Sequence, residues 1–211
     1  MKLLTYYTNS HKSLLDNFFI PSIPKSDNFD LRIGTGMQHS ATGAYDSHGY
    51  NLTTEEKIVF ILRELYVLPE GERILFSDCD VVFLKPVMSM LSEYENYDIV
   101  FQDGYQELNT GFMLIRNCPV VRTLFEDVVR KCYLYKNDQD ALNFLIDKYF
   151  IQYTMFGRTV LCPADFIFPS HWNGQKIKIP EYAKVFHACW CFDVENKLKL
   201  LKHVTDMSNE P

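Results

Sequence analysis

The feature that most constrains this chain is Arg73-Ile-Leu-Phe-Ser77, an apolar run that passes without a break into Asp78-Cys79-Asp80. A strand without polar alternation belongs in the middle of a sheet covered on both faces. Alternate side chains of an extended segment share a side, so Asp78 and Asp80 point the same way. Two carboxylates at the edge of a core repel each other and lose hydration, at several kcal/mol per ion on the order-of-magnitude scale if left unpaired. A hard divalent cation with oxygen ligands relieves both costs. A bound Mn²⁺ or Mg²⁺ would in turn accept the oxygens of a diphosphate. Taken alone, Asp-x-Asp also fits a solvated turn, but the apolar residues on both sides, including Val81–Leu84, argue against exposure.

Around this strand the chain alternates between β and α patterns. Residues 2–7 read as a first strand, followed by a turn and cap at Thr8-Asn9-Ser10 and a helix over 12–19. Residues 20–30 read as loop, 31–33 as a short strand, and 34–52 as a long loop of the kind that is functional or mobile. Thr53-Thr54-Glu55-Glu56 predicts a hydroxyl-capped helix start, and Ile58, Val59, Ile61, Leu62 and Leu65 carry a period near 3.6. Further strands are expected over 98–101, 112–115, 166–169 and 184–187, and helices over 120–135, 138–149 and 197–203. This alternation predicts an α/β fold, an α/β/α sandwich with a mostly parallel central sheet and a ligand at the carboxyl ends of its strands. A chain of 211 residues suits one domain, expected over 1–205, with 206–211 reading as a linker or tail.

Charge and composition narrow the chemistry. The net charge of −6 comes without a basic stripe, which excludes a nucleic-acid binder and leaves an anionic ligand in need of a cation. No apolar leader follows Met1 and no run is long enough to span a bilayer. Six scattered cysteines suggest reduced thiols, and a cytoplasmic setting is expected, the host cytoplasm if the source is viral. Asn51-Leu52-Thr53 is a glycosylation sequon that such a setting would leave unused. A calcium loop starting at Asp78 fails, because Phe83 and Ser89 stand where glycine and glutamate are required. Gly34-Thr-Gly36 lacks the third glycine of a dinucleotide fingerprint, and no Walker-type loop is present. Asp78-Cys-Asp80-Val-Val82 also resembles the nucleophile motif of haloacid-dehalogenase-type phosphatases, although about a third of the chain precedes it. His187-Ala-Cys189-Trp-Cys191 offers only one Cys pair, short of a zinc site.

Four stretches in order carry a family resemblance: Ile74-Leu-Phe-Ser-Asp-Cys-Asp-Val-Val-Phe-Leu-Lys-Pro86, Leu108-Asn-Thr-Gly-Phe-Met113, Asn137-Asp-Gln-Asp-Ala-Leu-Asn143 and Val185-Phe-His187. Together the chain resembles the GT-A (Rossmann-like) nucleotide-diphospho-sugar glycosyltransferases of families 8 and 77, including viral members that act in capsid glycan synthesis. The resemblance implies Asp78, Asp80 and His187 as ligands of Mn²⁺ or Mg²⁺, with Asp78 also near the ribose. It implies Tyr6, Tyr7 and Thr8 at the nucleotide base, and Lys57 and, more weakly, Arg63 as basic groups near the donor. Asn109, Thr110 and Gly111 would lie near the donor sugar. Asp138, Gln139 and Asp140 would hold the transferred sugar, although Asp138 and its neighbours equally suit a helix start. Trp190 would pack over the sugar or belong to the core. The implied reaction moves a hexose or deoxyhexose from a UDP-sugar to a hydroxyl of a glycan or glycoprotein acceptor. It would retain configuration, with Gln139 or Asp140 on the β face. The phosphatase with Asp78 as nucleophile and a non-catalytic sugar-nucleotide-binding module are the alternatives.

Overall fold

A computed structural model describes residues 1–44, 47–105, 107–166, 172–191 and 193–208. Its centre is a six-stranded sheet in the order β2-β1-β3-β6-β5-β7. The strands are β1 (Lys2–Tyr7), β2 (Asp30–Thr35), β3 (Arg73–Ser77), β5 (Ile99–Asp103), β6 (Leu108–Arg116) and β7 (Tyr153–Met155). Strands β1, β2 and β3 pair in parallel, as do β5 and β7, and β6 runs antiparallel to both of its neighbours. A three-stranded sheet, β4-β9-β8, is built from Val81–Phe83, Val185–His187 and Val160–Leu161.

The apolar run does what its composition requires. Ile74 and Phe76 face one side of the sheet and Leu75 the other, and all three are fully buried. On the first side lie α3 (Tyr50–Val67), α5 (Pro119–Lys131) and α6 (Asp138–Leu145); the short helical turns α1 (Lys12–Leu14), α2 (Ile20–Ser22) and α4 (Met88–Leu91) lie elsewhere. The anticipated stripe of α3, Ile58, Ile61 and Leu65, packs there against Leu4, Phe76 and Met113. On the second side Leu3, Leu75, Val100 and Leu114 pack against Leu15, Phe19, Val81 and Val185. Outside the small sheet, Leu200, Leu201 and Val204 of α7 (Val194–Ser208) close a third cluster with Val82 and Phe186.

Several boundaries differ from expectation. Helix α3 starts at Tyr50, capped by Gly49 in the left-handed region at φ 83° rather than by a Thr53 hydroxyl. Thr54 instead donates to Asn51 O and accepts the Asp138 amide, at 3.1 and 3.2 Å, so its hydroxyl ties two helices together. The helix over 12–19 contains a π turn, Leu15–Phe19, and part of 20–30 is helical. Helix α7 continues through Ser208, so 206–208 are helical rather than linker. The strand expected over 166–169 is not seen at Phe166, which lies in a turn, and 167–169 fall outside the described residues. No helix is long and apolar enough to cross a membrane among the described residues.

Candidate active site

Strands β1 and β3 run in parallel, so Tyr7 and Ser77 end at the same edge of the sheet, and the site lies just beyond it. Immediately after β3 the backbone is pinned on both sides. Asp78 N donates to Gly111 O at 2.7 Å and Ala188 N donates to Asp80 O at 2.8 Å. Cys79 turns into the second core cluster, while Asp78 and Asp80 turn together toward the end of β9. There, one ligand atom each from Asp78, Asp80 and His187 lie within 4.8 Å of one another. His187 Nε2 is 3.2 Å from Asp80 Oδ1, and its Nδ1 is 2.7 Å from Gln102 Oε1.

Two lysines share the charge balance. Lys57, from α3, lies 2.8 Å from Asp138 Oδ2 and 3.5 Å from Asp78 Oδ1. Lys197, from α7, lies 2.6 Å from Asp80 Oδ2. The expectation that a divalent cation relieves the aspartate pair is therefore incomplete: an ammonium already serves each carboxylate. Three carboxylates against two ammoniums leave one formal negative charge among these five groups. Burial acts to raise the Asp80 carboxyl, but Lys197 and then His187 outweigh it and hold it well below the usual carboxylate range. Burial raises the Asp78 carboxyl, and neighbouring Asp80 adds to the rise against the pull of Lys57. The two carboxylates are thus electrostatically unequal. Both lysines stay charged: burial opposes this, but Asp138 and Asp78 around Lys57, and Asp80 beside Lys197, raise them above the ordinary lysine range.

The donor set fits a hard divalent cation. It presents two carboxylates and one imidazole, and adjacent ligand atoms around an octahedral ion with bonds near 2.1 Å stand about 3 Å apart, the size of the His187–Asp80 separation. Among the described residues this is the one group of three such side chains close enough to hold a metal; Cys189 and Cys191 are not part of it.

The cluster faces a cavity of about 240 Å³ and touches a smaller one of about 80 Å³. The larger is lined by Lys57, Asn109, Thr110, Gly111, Asp138, Gln139 and Trp190. The smaller is lined by Tyr6, Tyr7, Thr8 and His11, and both share Tyr50, Lys57, Asp78, Asp80 and Lys197. Most of the sequence candidates therefore converge. Two do not. Arg63 is exposed and lines neither cavity, because six residues along an α-helix turn it well away from Lys57. Asp140 is absent from both linings; its amide donates to the Asn137 cap at 2.8 Å, and it sits at the helix start as a first-turn acid.

Local bonding fixes the rest. Thr110 Oγ1 donates to Asp138 Oδ2 at 2.9 Å. The Gln139 amide is held at both ends, its Oε1 accepting from Thr110 N at 3.3 Å and its Nε2 donating to Glu107 Oε1 at 2.7 Å. Tyr6 OH donates to Glu56 Oε2 at 2.6 Å, so its ring lines the small cavity with the hydroxyl already engaged. Gly111 is required by space: a Cβ there would lie 2.2 Å from His187 Cε1 and 2.9 Å from Asp78 Oδ2. Sequence reasoning missed Tyr50, Glu107, Gln102 and Lys197. Lys197 reads in sequence as an ordinary helix charge, and Gln102 as the polar end of a strand.

The comparisons with known proteins bear on this geometry. The model of the nucleotide-diphospho-sugar transferase family matches residues 24–201. A glycosyltransferase involved in glycosylation of the major capsid of PBCV-1 is similar in structure, at TM-score 0.63 and 13% identity over 94% of this chain and 98% of that one. The galactosyltransferase LgtC, solved with donor and acceptor sugar analogs, superposes at TM-score 0.58 and 14% identity over 100% and 98%. Mouse xyloside xylosyltransferase 1 gives TM-score 0.52 and 11% identity over 89% and 97%. At these identities the structural likeness speaks for the fold. No curated protein sequence matches the chain.

Proposed function

Because the chain belongs to the nucleotide-diphospho-sugar transferase family, we infer that it transfers a hexose or deoxyhexose from a UDP-sugar to a hydroxyl of an acceptor glycan, with Mn²⁺ or Mg²⁺ held by Asp78, Asp80 and His187. The observation that carries this reading is the convergence of those three side chains, with Asp78 and Asp80 lining both cavities and His187 the larger. When bound, the ion would supply Lewis-acid stabilisation of the departing diphosphate.

The chain's own residues account for the remainder. Tyr6, Tyr7 and Thr8 line the narrow cavity and receive the base. Lys57 and Lys197, fixed and charged, add cationic field where negative charge develops on the leaving group, with no reorganisation needed at the moment of reaction. Asp138, held by Lys57 and Thr110, accepts from sugar hydroxyls in the larger cavity. Of the two β-face candidates, Gln139 lines that cavity and Asp140 does not. A carboxamide is a poor nucleophile, and the Gln139 carbonyl already accepts from Thr110 N. This favours retention by same-face attack, with Gln139 positioning the sugar. The phosphatase alternative loses its support with the family match. Acceptors to test include glycans of a viral capsid protein, and the six scattered cysteines support a reducing cytoplasm as the compartment.

The experiment is a screen of UDP-sugars with Mn²⁺, following UDP release with and without acceptor and with excess EDTA. Release from one UDP-sugar, lost with EDTA, is the expected result. Binding of UDP-sugars with no release under any acceptor condition would instead identify a non-catalytic binding module.

A further inference from the structure

We propose that Gln102 is a positioning residue for the metal ligand His187: its carbonyl accepts from Nδ1–H in the loaded site and so leaves the Nε2 lone pair for the ion that Asp78 and Asp80 would share. The inference rests on the reading of the cluster as a metal site and concerns what prepares the third ligand.

Gln102 follows the buried apolar residues Ile99-Val100-Phe101 of β5 and is itself fully buried. Its Oε1 lies 2.7 Å from His187 Nδ1, across 85 residues of sequence. In the assigned amide orientation, Nε2 is buried with no hydrogen-bond partner among the described residues. A position needing only to fill space would take leucine or methionine and avoid burying an unsatisfied N–H. What the glutamine offers in exchange is an acceptor for His187 Nδ1. An imidazole that donates from one nitrogen presents a lone pair at the other, which is how outer partners of ligating histidines set tautomer and ring angle.

The backbone supports the same aim. The pairing of β5 with β6 slips between Phe101 and Gln102: Phe101 faces Met113, but Gln102 faces Asn109. Thr110, Gly111 and Phe112 are thus skipped on the β5 side, and the displaced segment carries Gly111 against His187. The ring is held on three sides, by Gln102 at Nδ1, by the Cβ-free surface of Gly111 beside Cε1, and by Asp80 at Nε2. The structural slip and the buried glutamine serve one histidine.

The test compares wild type, Gln102→Met and Gln102→Glu. Mn²⁺ affinity is read from the free-ion electron paramagnetic resonance signal, and the His187 tautomer from ¹⁵N shifts of the protein loaded with diamagnetic Mg²⁺. The expected result is an Nδ1–H tautomer in wild type. Gln102→Met, which has no acceptor, should lose about 10–100-fold in Mn²⁺ affinity. Gln102→Glu, which keeps an acceptor, should stay within about threefold of wild type or tighten. An Nε2–H tautomer in wild type overturns the proposal, and that measurement stands even if Gln102→Met does not fold. Equal losses in the Met and Glu variants, or wild-type affinity in a folded Gln102→Met, also overturn it. A wild type that binds no Mn²⁺ overturns the metal reading itself, a separate failure visible before any variant is made.

Discussion

The two faces of the central sheet are built differently and meet at the aspartates. The first face is covered by α3, α5 and α6, whose apolar stripes form one continuous cluster with the strands. The second face is covered by short helical turns and a three-stranded sheet whose strands come from distant parts of the chain. Each face sends one lysine to one carboxylate: Lys57 from α3 reaches Asp78, and Lys197 from α7 reaches Asp80. Lys57 is also locked to buried Asp138 in a dry setting, its side chain 9% exposed, whereas Lys197 is 20% exposed and its partner Asp80 keeps His187 as well. The comparison teaches that the two cations of one site are held to different degrees, Lys57 locked between two carboxylates and Lys197 more open beside one.

Substitution of the two lysines breaks that comparison most directly. Lys57→Met leaves Asp138 and Asp78 without their ammonium and should cost about 3–5 kcal/mol of unfolding free energy. Lys197→Met leaves Asp80 with His187 and should cost about 1–3 kcal/mol in stability, while raising the KM for donor more than tenfold. Urea unfolding and donor kinetics on the pair check both values; equal stability losses would erase the distinction between the two lysines.

A pH experiment sharpens the picture on the second side. Burial, with help from Lys197, lowers His11 to about 4 from its ordinary 6.5. Between those values the unfolded chain binds a proton that the folded chain does not. The contribution is therefore fully present above about pH 6.5 and lost as pH falls toward 4, by on the order of 3 kcal/mol. His11→Gln should remove this part of the slope, seen as a smaller stability difference between pH 7 and pH 4.5 than wild type shows. An unchanged slope would mean that His11 is not held neutral.

Gly111→Ala tests the close approach where the faces touch. The added Cβ would meet His187 Cε1 at 2.2 Å, and relieving it should cost about 1–3 kcal/mol, with activity falling further because His187 is displaced. Thermal melts and turnover on the same preparation separate the two effects. At the small end, Arg63→Ala should leave stability within about 0.5 kcal/mol and donor KM unchanged, since Arg63 is exposed outside both cavities.

The same contrast explains what was legible in the sequence. Helix α3 and the strand before Asp78 could be read because their signals are local: a 3.6 period, and an apolar run ending in acids. Strand alternation anticipated that Asp78 and Asp80 share a side, but β3 ends at Ser77 and it is the turn at Cys79 and Asp80 that brings them together. Of the three-stranded sheet, β9 was anticipated over 184–187, but β8 and the pairing were not, because strands of two or three residues carry no period and gain their meaning from partners far away. Lys197 pairs with Asp80 across 117 residues, and nothing near Lys197 announces it. The reversal of β6 and its slip against β5 are likewise properties of pairing. Residues such as Asp140 and Arg63 were misplaced for a related reason: a motif or a helix marks a neighbourhood, but which way a side chain faces depends on the turn it occupies.

The account turns on whether Asp78, Asp80 and His187 hold a divalent ion for the nucleotide. Calorimetry of UDP binding, with Mn²⁺ and with EDTA, on wild type and on Asp80→Asn measures this directly. The prediction is binding by wild type only when Mn²⁺ is present, and none by Asp80→Asn under either condition. Wild-type binding that persists in EDTA, or undiminished Mn²⁺-dependent binding by Asp80→Asn, would contradict it.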